Sequence, residues 1–212
     1  RLQAATSGVL ERAAHGWVWR HRDGTAFELP DPSLAAPVQY ANAAAAIAAL
    51  HASRGPGAPI PIAQFAGAAA EGVRTARVAA RLQSLGGDPE LIVDVGHNPQ
   101  AARALAEWLD AHPGGPVHAV YGALADKDVA GVIAALGGRI GHWHLAGLER
   151  DTPRGLPAEA LREPLQRELP AAAFDLHADV QGALAAARMA ARPGERILAF
   201  GSFFVAAAVL QK

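Results

Sequence analysis

From residue 91 onward the hydrophobic positions fall into short apolar runs that alternate with stretches of helical spacing. Residues 91–95 form a strand-length apolar run broken only by Asp94. From Pro99 an alanine-rich stretch sets Leu105, Trp108 and Leu109 at helical spacing, so the segment predicts strand, tight turn and helix. The pattern then repeats: strand 117–121, helix 129–136, strand 140–145, helix 157–169, strand 174–176, helix 179–191, strand 196–200 and a final helix from Phe203. Such alternation predicts an α/β fold, a Rossmann-like, mostly parallel sheet with helices on both faces. Right-handed crossovers bring the loops after each strand to one edge.

The first ninety residues read differently. Segments 17–19 and 26–29, joined through Asp23-Gly24, predict a β-hairpin in which Trp17 and Trp19 pack. Three prolines in residues 30–37 exclude a helix or sheet interior there. An alanine-rich helix over 41–51 is ended by Gly55-Pro56-Gly57, and a second helix covers 62–71. A joint with Arg74, Arg77 and Arg81 follows. The expected organisation is therefore 1–72, a joint over 73–90, and 91–212.

Ligands of open α/β sheets collect outside the carboxyl ends of the strands, and Asp94, His97 and Asn98 fall there. Asn98 precedes Pro99 as an N-cap, and the N–H groups behind it favour an anion. An Asp and a His three residues apart read equally well as a structural pair. Lys127, between Asp126 and Asp128, suits an amino-acid carboxylate as a point charge, or belongs to a charge cluster capping the next helix. Ser202 offers donors to a carboxylate or caps the last helix, and Arg154 either orients an acidic substrate or is solvated. His142 and His144 share a strand face, but no third ligand stands nearby in sequence, so no metal site is expected.

Five ordered stretches carry a resemblance: Ala80-Arg-Leu-Gln83, Asp94-Val-Gly-His-Asn-Pro99, Gly122-Ala-Leu-Ala-Asp-Lys-Asp128, Thr152-Pro-Arg-Gly155 and Phe200-Gly-Ser-Phe203. Together the chain resembles, from about Trp17 onward, the C-terminal part of bacterial folylpolyglutamate synthase/dihydrofolate synthase, in the Mur-ligase group of ATP-dependent amide ligases. The resemblance implies that 91–212 is the Mur ligase C-terminal (glutamate ligase) domain. It implies that 1–72, the β-hairpin and helices, is the end of the central ATPase domain. It further implies ATP and Mg2+ as cofactors, and L-glutamate with dihydropteroate or tetrahydrofolate as substrates. The reaction it implies is amide formation through an acyl phosphate, and the location it implies is the cytoplasm.

By the same resemblance Asp94 and His97 face the phosphates as catalytic groups. Arg81, Asn98 and Asn42 (in Gln39-Tyr-Ala-Asn42) serve the nucleotide, and Lys127, Arg154 and Ser202 hold glutamate; a helix-start cap is the other reading of Asn42. Two departures stand out. Ala79-Ala80 replaces the family's Pro-Gly before Arg81, and Phe204 stands where the family has His, so that histidine's role is not carried over.

Composition narrows the classes. The chain has 212 residues, 51% of them hydrophobic, with net charge −1 and mean hydropathy +0.11, so it buries a core and offers no basic excess for a nucleic acid or membrane. The absence of cysteine suits a reducing cytosol. Nothing in these residues reads as a targeting segment, and they do not open on an initiator Met. A Gly-x-x-x-x-Gly-Lys-[Ser/Thr] loop is missing: Lys127 follows Asp126, and the only other lysine is Lys212. The expectation is a fragment whose N-terminal ATPase domain is missing and which is inactive alone. Two other readings are a stand-alone Rossmann-like binding domain, disfavoured because Gly96 and Gly122 lack a Gly-x-Gly-x-x-Gly context, and a fragment of a Mur-type cell-wall ligase.

Overall fold

All five residues of Val117–Tyr121 and all five of Arg196–Phe200 are buried, which a strand achieves only when both faces of its sheet are covered. The computed structural model describes residues 2–3, 8–12, 15–34, 38–54 and 60–211. The chain divides into two units, Arg1–Val78 and Ala79–Lys212.

The first unit is an antiparallel sheet with two helices. Strands β1 (Leu2–Gln3), β2 (Gly8–Arg12), β3 (Trp17–His21) and β4 (Ala26–Leu29) lie in sequence order. Trp17 pairs with Leu29 and Trp19 with Phe27, and all four are buried. The expected hairpin is thus present, and its tryptophans pack; the Trp17 indole N–H donates to the Pro30 carbonyl at 2.9 Å. Helix α1 (Val38–Ser53) presents Ala44, Ile47 and Ala48, at i, i+3 and i+4, to the same core, and α2 (Ile62–Thr75) adds Val73. Helix α1 begins three residues before the expected start, and α2 runs four beyond the expected end. Strands β1 and β2 were not expected. Gly55-Pro56-Gly57 and residues 35–37 lie outside the described residues.

The second unit has a six-stranded sheet ordered β5-β6-β10-β7-β8-β9: β5 (Gln83–Ser84), β6 (Glu90–Val93), β7 (Val117–Tyr121), β8 (His142–Ala146), β9 (Phe174–His177) and β10 (Arg196–Phe200). Every pairing is parallel except that of the edge strand β5 with β6. Four helices connect these strands, α3 (Pro99–Ala111), α4 (Val129–Leu136), α5 (Ala158–Glu168) and α6 (Val180–Ala190), and α7 (Phe203–Leu210) follows β10. The expected α/β class holds, and the expected order of elements holds from β6 onward; β5, within the expected joint, was not foreseen.

One sheet face packs under α6 and α7. Val180, Ala183, Leu184 and Ala187, a helical stripe, meet Val93, Val120, Ala146 and Ala199. The other face, with Tyr121, Trp143 and Phe200 fully buried, lies under the mutually packed α3, α4 and α5. Each such large side chain contributes ~1.5–3 kcal/mol on burial. Among the described residues no helix is long and apolar enough to cross a membrane.

Strand β10, last in the chain, lies between β6 and β7. The path from β6 through α3 to β7 therefore passes over it, and the carboxyl ends of β6 and β10 sit side by side at the point where strand order reverses.

Candidate functional site

Strand β6 ends at Val93 because the next two residues leave the regular ladder. The Asp94 N–H still donates to the Ala199 carbonyl, but the Val95 N–H turns to the Ala80 carbonyl. The Asp94 side chain is 6% exposed, and both of its oxygens are engaged: Oδ2 accepts from the Leu82 N–H at 2.8 Å and Oδ1 from the Gly96 N–H at 2.6 Å. Ala80 and Leu82 take left-handed backbone conformations, φ 53° and 46°, which cost an L-residue roughly 1–2 kcal/mol each. Asp94 is therefore a clamp on the loop that presents the exposed Arg81 between them. Burial pushes its carboxyl upward, opposed by the two N–H groups and by the charges of Arg81 and His97. A Cβ on Gly96 would come within 2.7 Å of Asp94 Oδ1, so the clamp needs glycine there.

His97 is half-buried, and its Nδ1 donates to the Val95 carbonyl at 3.0 Å, which leaves Nε2 for a ligand. The carbonyl, rather than Asp94, orients the ring. Asn98 caps α3, its Oδ1 accepting from the Ala101 N–H at 2.9 Å, with Pro99 following at the first helical position. The His97 ring lies 6.5 Å from that of Phe203, tying the loop after β6 to the one after β10. There Ser202 is 2% exposed and its Oγ accepts from the Val205 N–H at 3.1 Å, so it caps α7 and retains a hydroxyl proton to donate. Gly201, φ 112°, permits this approach: a Cβ would stand 2.4 Å from the Gly122 carbonyl oxygen.

The loops after β7 and β8 are joined by a short antiparallel bridge between Leu124 and Gly155 and by the Ala125 N–H to the Arg154 carbonyl. Their side chains meet on Asp126, whose Oδ2 accepts from Lys127 Nζ at 2.8 Å and whose Oδ1 lies 3.7 Å from the Arg154 guanidinium. The Lys127 hydrogen bond holds the Asp126 carboxyl below its usual range. Asp128 caps α4 through the Gly131 N–H. The capping role thus falls to Asp128, while Lys127 pairs with Asp126 at the sheet edge beside Arg154. The linking role of Asp126 escapes sequence reading, because only the bridge brings the two loops together.

The loops after β6, β10, β7 and β8 therefore set Asp94, His97 and Asn98, then Ser202, then Lys127, then Arg154 in a row along one sheet edge, with Arg81 on the adjoining clamped loop. Asn42 belongs to the other unit. It sits in the second turn of α1, so it is not a helix-start cap, and its Nδ2 donates to Gln39 Oε1 at 3.1 Å. Both side chains line a cavity of about 370 Å³ whose other walls include Ile47, Phe65 and Val73.

An open, mostly parallel α/β sheet with polar loops at its carboxyl edge places the chain in the class of α/β proteins whose ligands collect at that edge. Residues 80–203 match the Mur ligase, glutamate ligase domain, and the chain belongs to that family. It is 36% identical over 198 residues to the dihydrofolate synthase/folylpolyglutamate synthase of Escherichia coli K12, a match covering 93% of this chain and 42% of the relative. The structure of E. coli FolC in complex with DHPP and ADP superposes with a TM-score of 0.80 at 34% identity, over 98% of this chain and 46% of that one. A bifunctional folylpolyglutamate synthase/dihydrofolate synthase with Mn, AMPPNP and L-glutamate bound gives 0.77 at 33% identity, over 97% and 46%. The chain thus spans less than half the length of these relatives.

Proposed function

We propose that this chain is the C-terminal part of a cytoplasmic ATP-dependent ligase that joins L-glutamate to dihydropteroate or to reduced folates through an acyl phosphate. Residues 1–72 complete an ATPase domain whose phosphate loop lies on the part of the protein not included in this chain, and 91–212 form the glutamate ligase domain. The observation that carries this reading is the Lys127–Asp126–Arg154 arrangement beside the Ser202 hydroxyl at one sheet edge. Two cations sharing one carboxylate accommodate the second acidic group of a diacid amino acid at little electrostatic cost.

At this edge both oxygens of Asp94 accept from N–H groups and Asp126 is shared by Lys127 and Arg154, so neither carboxylate is arranged for a hard cation such as Mg2+. The divalent ion belongs with the phosphate loop. ATP supplies the phosphoryl group that turns a carboxylate into a good acylating agent. This chain binds and orients around it: Arg81 and His97 Nε2 offer donors to phosphate oxygens, Asn42 and Gln39 line an apolar cavity suited to a base, and Lys127, Arg154 and Ser202 hold the incoming amino acid.

The test is glutamate ligation by the full-length protein with dihydropteroate as acceptor. Lys127→Ala and Arg154→Ala are expected to raise the KM for glutamate at least ~10-fold, equivalent to ~1.4 kcal/mol, and to change kcat less. His97→Ala is expected to lower kcat. An unchanged glutamate KM in both cation variants would remove the edge from the substrate site, and turnover of a nucleotide-sugar peptide in place of dihydropteroate would move the protein to the cell-wall branch.

A further inference from the structure

His142 and His144 acquire in the fold the partner they lack in the sequence. Strand β8 runs parallel to β9, with His144 paired to Asp175, so these three side chains project from one face of the sheet. Their donor atoms all lie within 4.8 Å of one another, and His142 Nε2 is 2.9 Å from Asp175 Oδ2. Two more imidazoles close around them. His144 Nδ1 is 3.3 Å from His177 Nε2, and its Nε2 is 3.2 Å from His118 Nδ1, whose own Nε2 reaches Glu195 at 3.2 Å. His144 is 1% exposed, while the Asp175 side chain is 61% exposed and that of His142 29%, so the group is buried at one end and open to water at the other.

We propose that His142, His144 and Asp175 bind one first-row divalent cation of the zinc type, with water completing the coordination. Two imidazoles and a carboxylate on adjacent strands form a donor set suited to Zn2+ and not to Mg2+ or Ca2+, which prefer all-oxygen shells. Whichever ring nitrogen of His144 faces the ion, the other keeps an imidazole partner. On the His118 side that chain ends on a carboxylate, the kind of outer support that orients ligating histidines. A second trio, His21, Asp23 and His51, lacks such support, because His51 Nδ1 is buried without a partner. The proposed site lies toward the amino ends of the strands, away from the carboxyl edge, so its cation ties β9 to the sheet and takes no part in ligation.

The test uses the untagged full-length protein, stripped with chelator and free of nucleotide, titrated with Co2+ as a spectroscopic probe and with Zn2+ by calorimetry. One cation per chain is expected, with the visible absorption of four-coordinate Co2+ and displacement by Zn2+. His142→Gln and Asp175→Asn, both at solvent-facing side chains that the fold tolerates, are each expected to weaken binding at least ~10-fold, and His21→Gln to leave it unchanged. Absence of a stoichiometric signal, equal affinity in the His142 and Asp175 variants, or loss of binding in the His21 variant would each overturn the assignment.

Discussion

At Asp94 a single carboxylate does the work of two acceptors, and no other side chain of its size can. Asparagine has the same shape but offers one oxygen and one NH2, so one of the Leu82 and Gly96 N–H groups would face a donor. Asp94→Asn is expected to lower stability by ~2 kcal/mol, the usual cost of a buried unsatisfied group. It should also loosen the Arg81 loop, so limited trypsin digestion should cut after Arg81 faster than in the parent protein; equal rates would mean that the clamp is dispensable. The sequence places Asp94 beside His97 at a strand end, which is correct, but its partners are backbone amides. One of these, Leu82, lies twelve residues earlier in a left-handed turn that residue types do not announce. The histidine cluster was hidden for a similar reason. His118, His144 and His177 come from three strands, and only the register of the finished sheet brings their rings together.

Among the elements, caps are the features the sequence shows most plainly. Asn98, Asp128, Asp179 and Ser202 each precede an apolar periodic run, and each accepts a hydrogen bond from an N–H three residues on. Asp179→Ala, at a cap outside the proposed substrate site, is expected to cost ~1 kcal/mol and to leave ligation by the full-length protein unchanged; a urea midpoint and a glutamate KM measured together check both halves. Strands β1 and β5 are two residues long, too short for any period to register, and β2 has only Val9 and Leu10 as apolar residues, ending in Glu11 and Arg12. The central parallel strands were legible because burial on both faces makes them largely apolar runs, whereas these edge pairings depend on what lies alongside.

For the molecule as a whole, the buried imidazoles set an acid limit. His144 has a folded pKa of about 4 against an ordinary value of 6.5, so between those values the unfolded chain binds more protons and stability falls as the pH falls. The stabilisation is fully present above pH 6.5 and is lost by about pH 4. The difference amounts to about 3 kcal/mol at 1.36 kcal/mol per unit, and His177, also lowered by burial, adds in the same direction. Asp110, Asp126 and Glu195, whose carboxyls are held below their usual range, lose their stabilisation in a lower window, as the pH falls through their folded values. Urea midpoints measured in chelator from pH 7.5 to 4.5 are expected to decline across this range, and a flat profile would mean that the imidazoles are hydrated.

The position of β10 also bears on how the protein is made. As the chain leaves the ribosome, β6 emerges early and β7, β8 and β9 follow, yet β6 and β7 have no direct pairing with each other. The polypeptide must hold two unjoined half-sheets, with Val93 and Val120 lacking the strand that belongs between them, until residues 196–200 appear. From the emergence of Tyr121 to that of Arg196 two strand edges therefore wait for their partner, and this unit closes in a single late event in which one strand completes both halves.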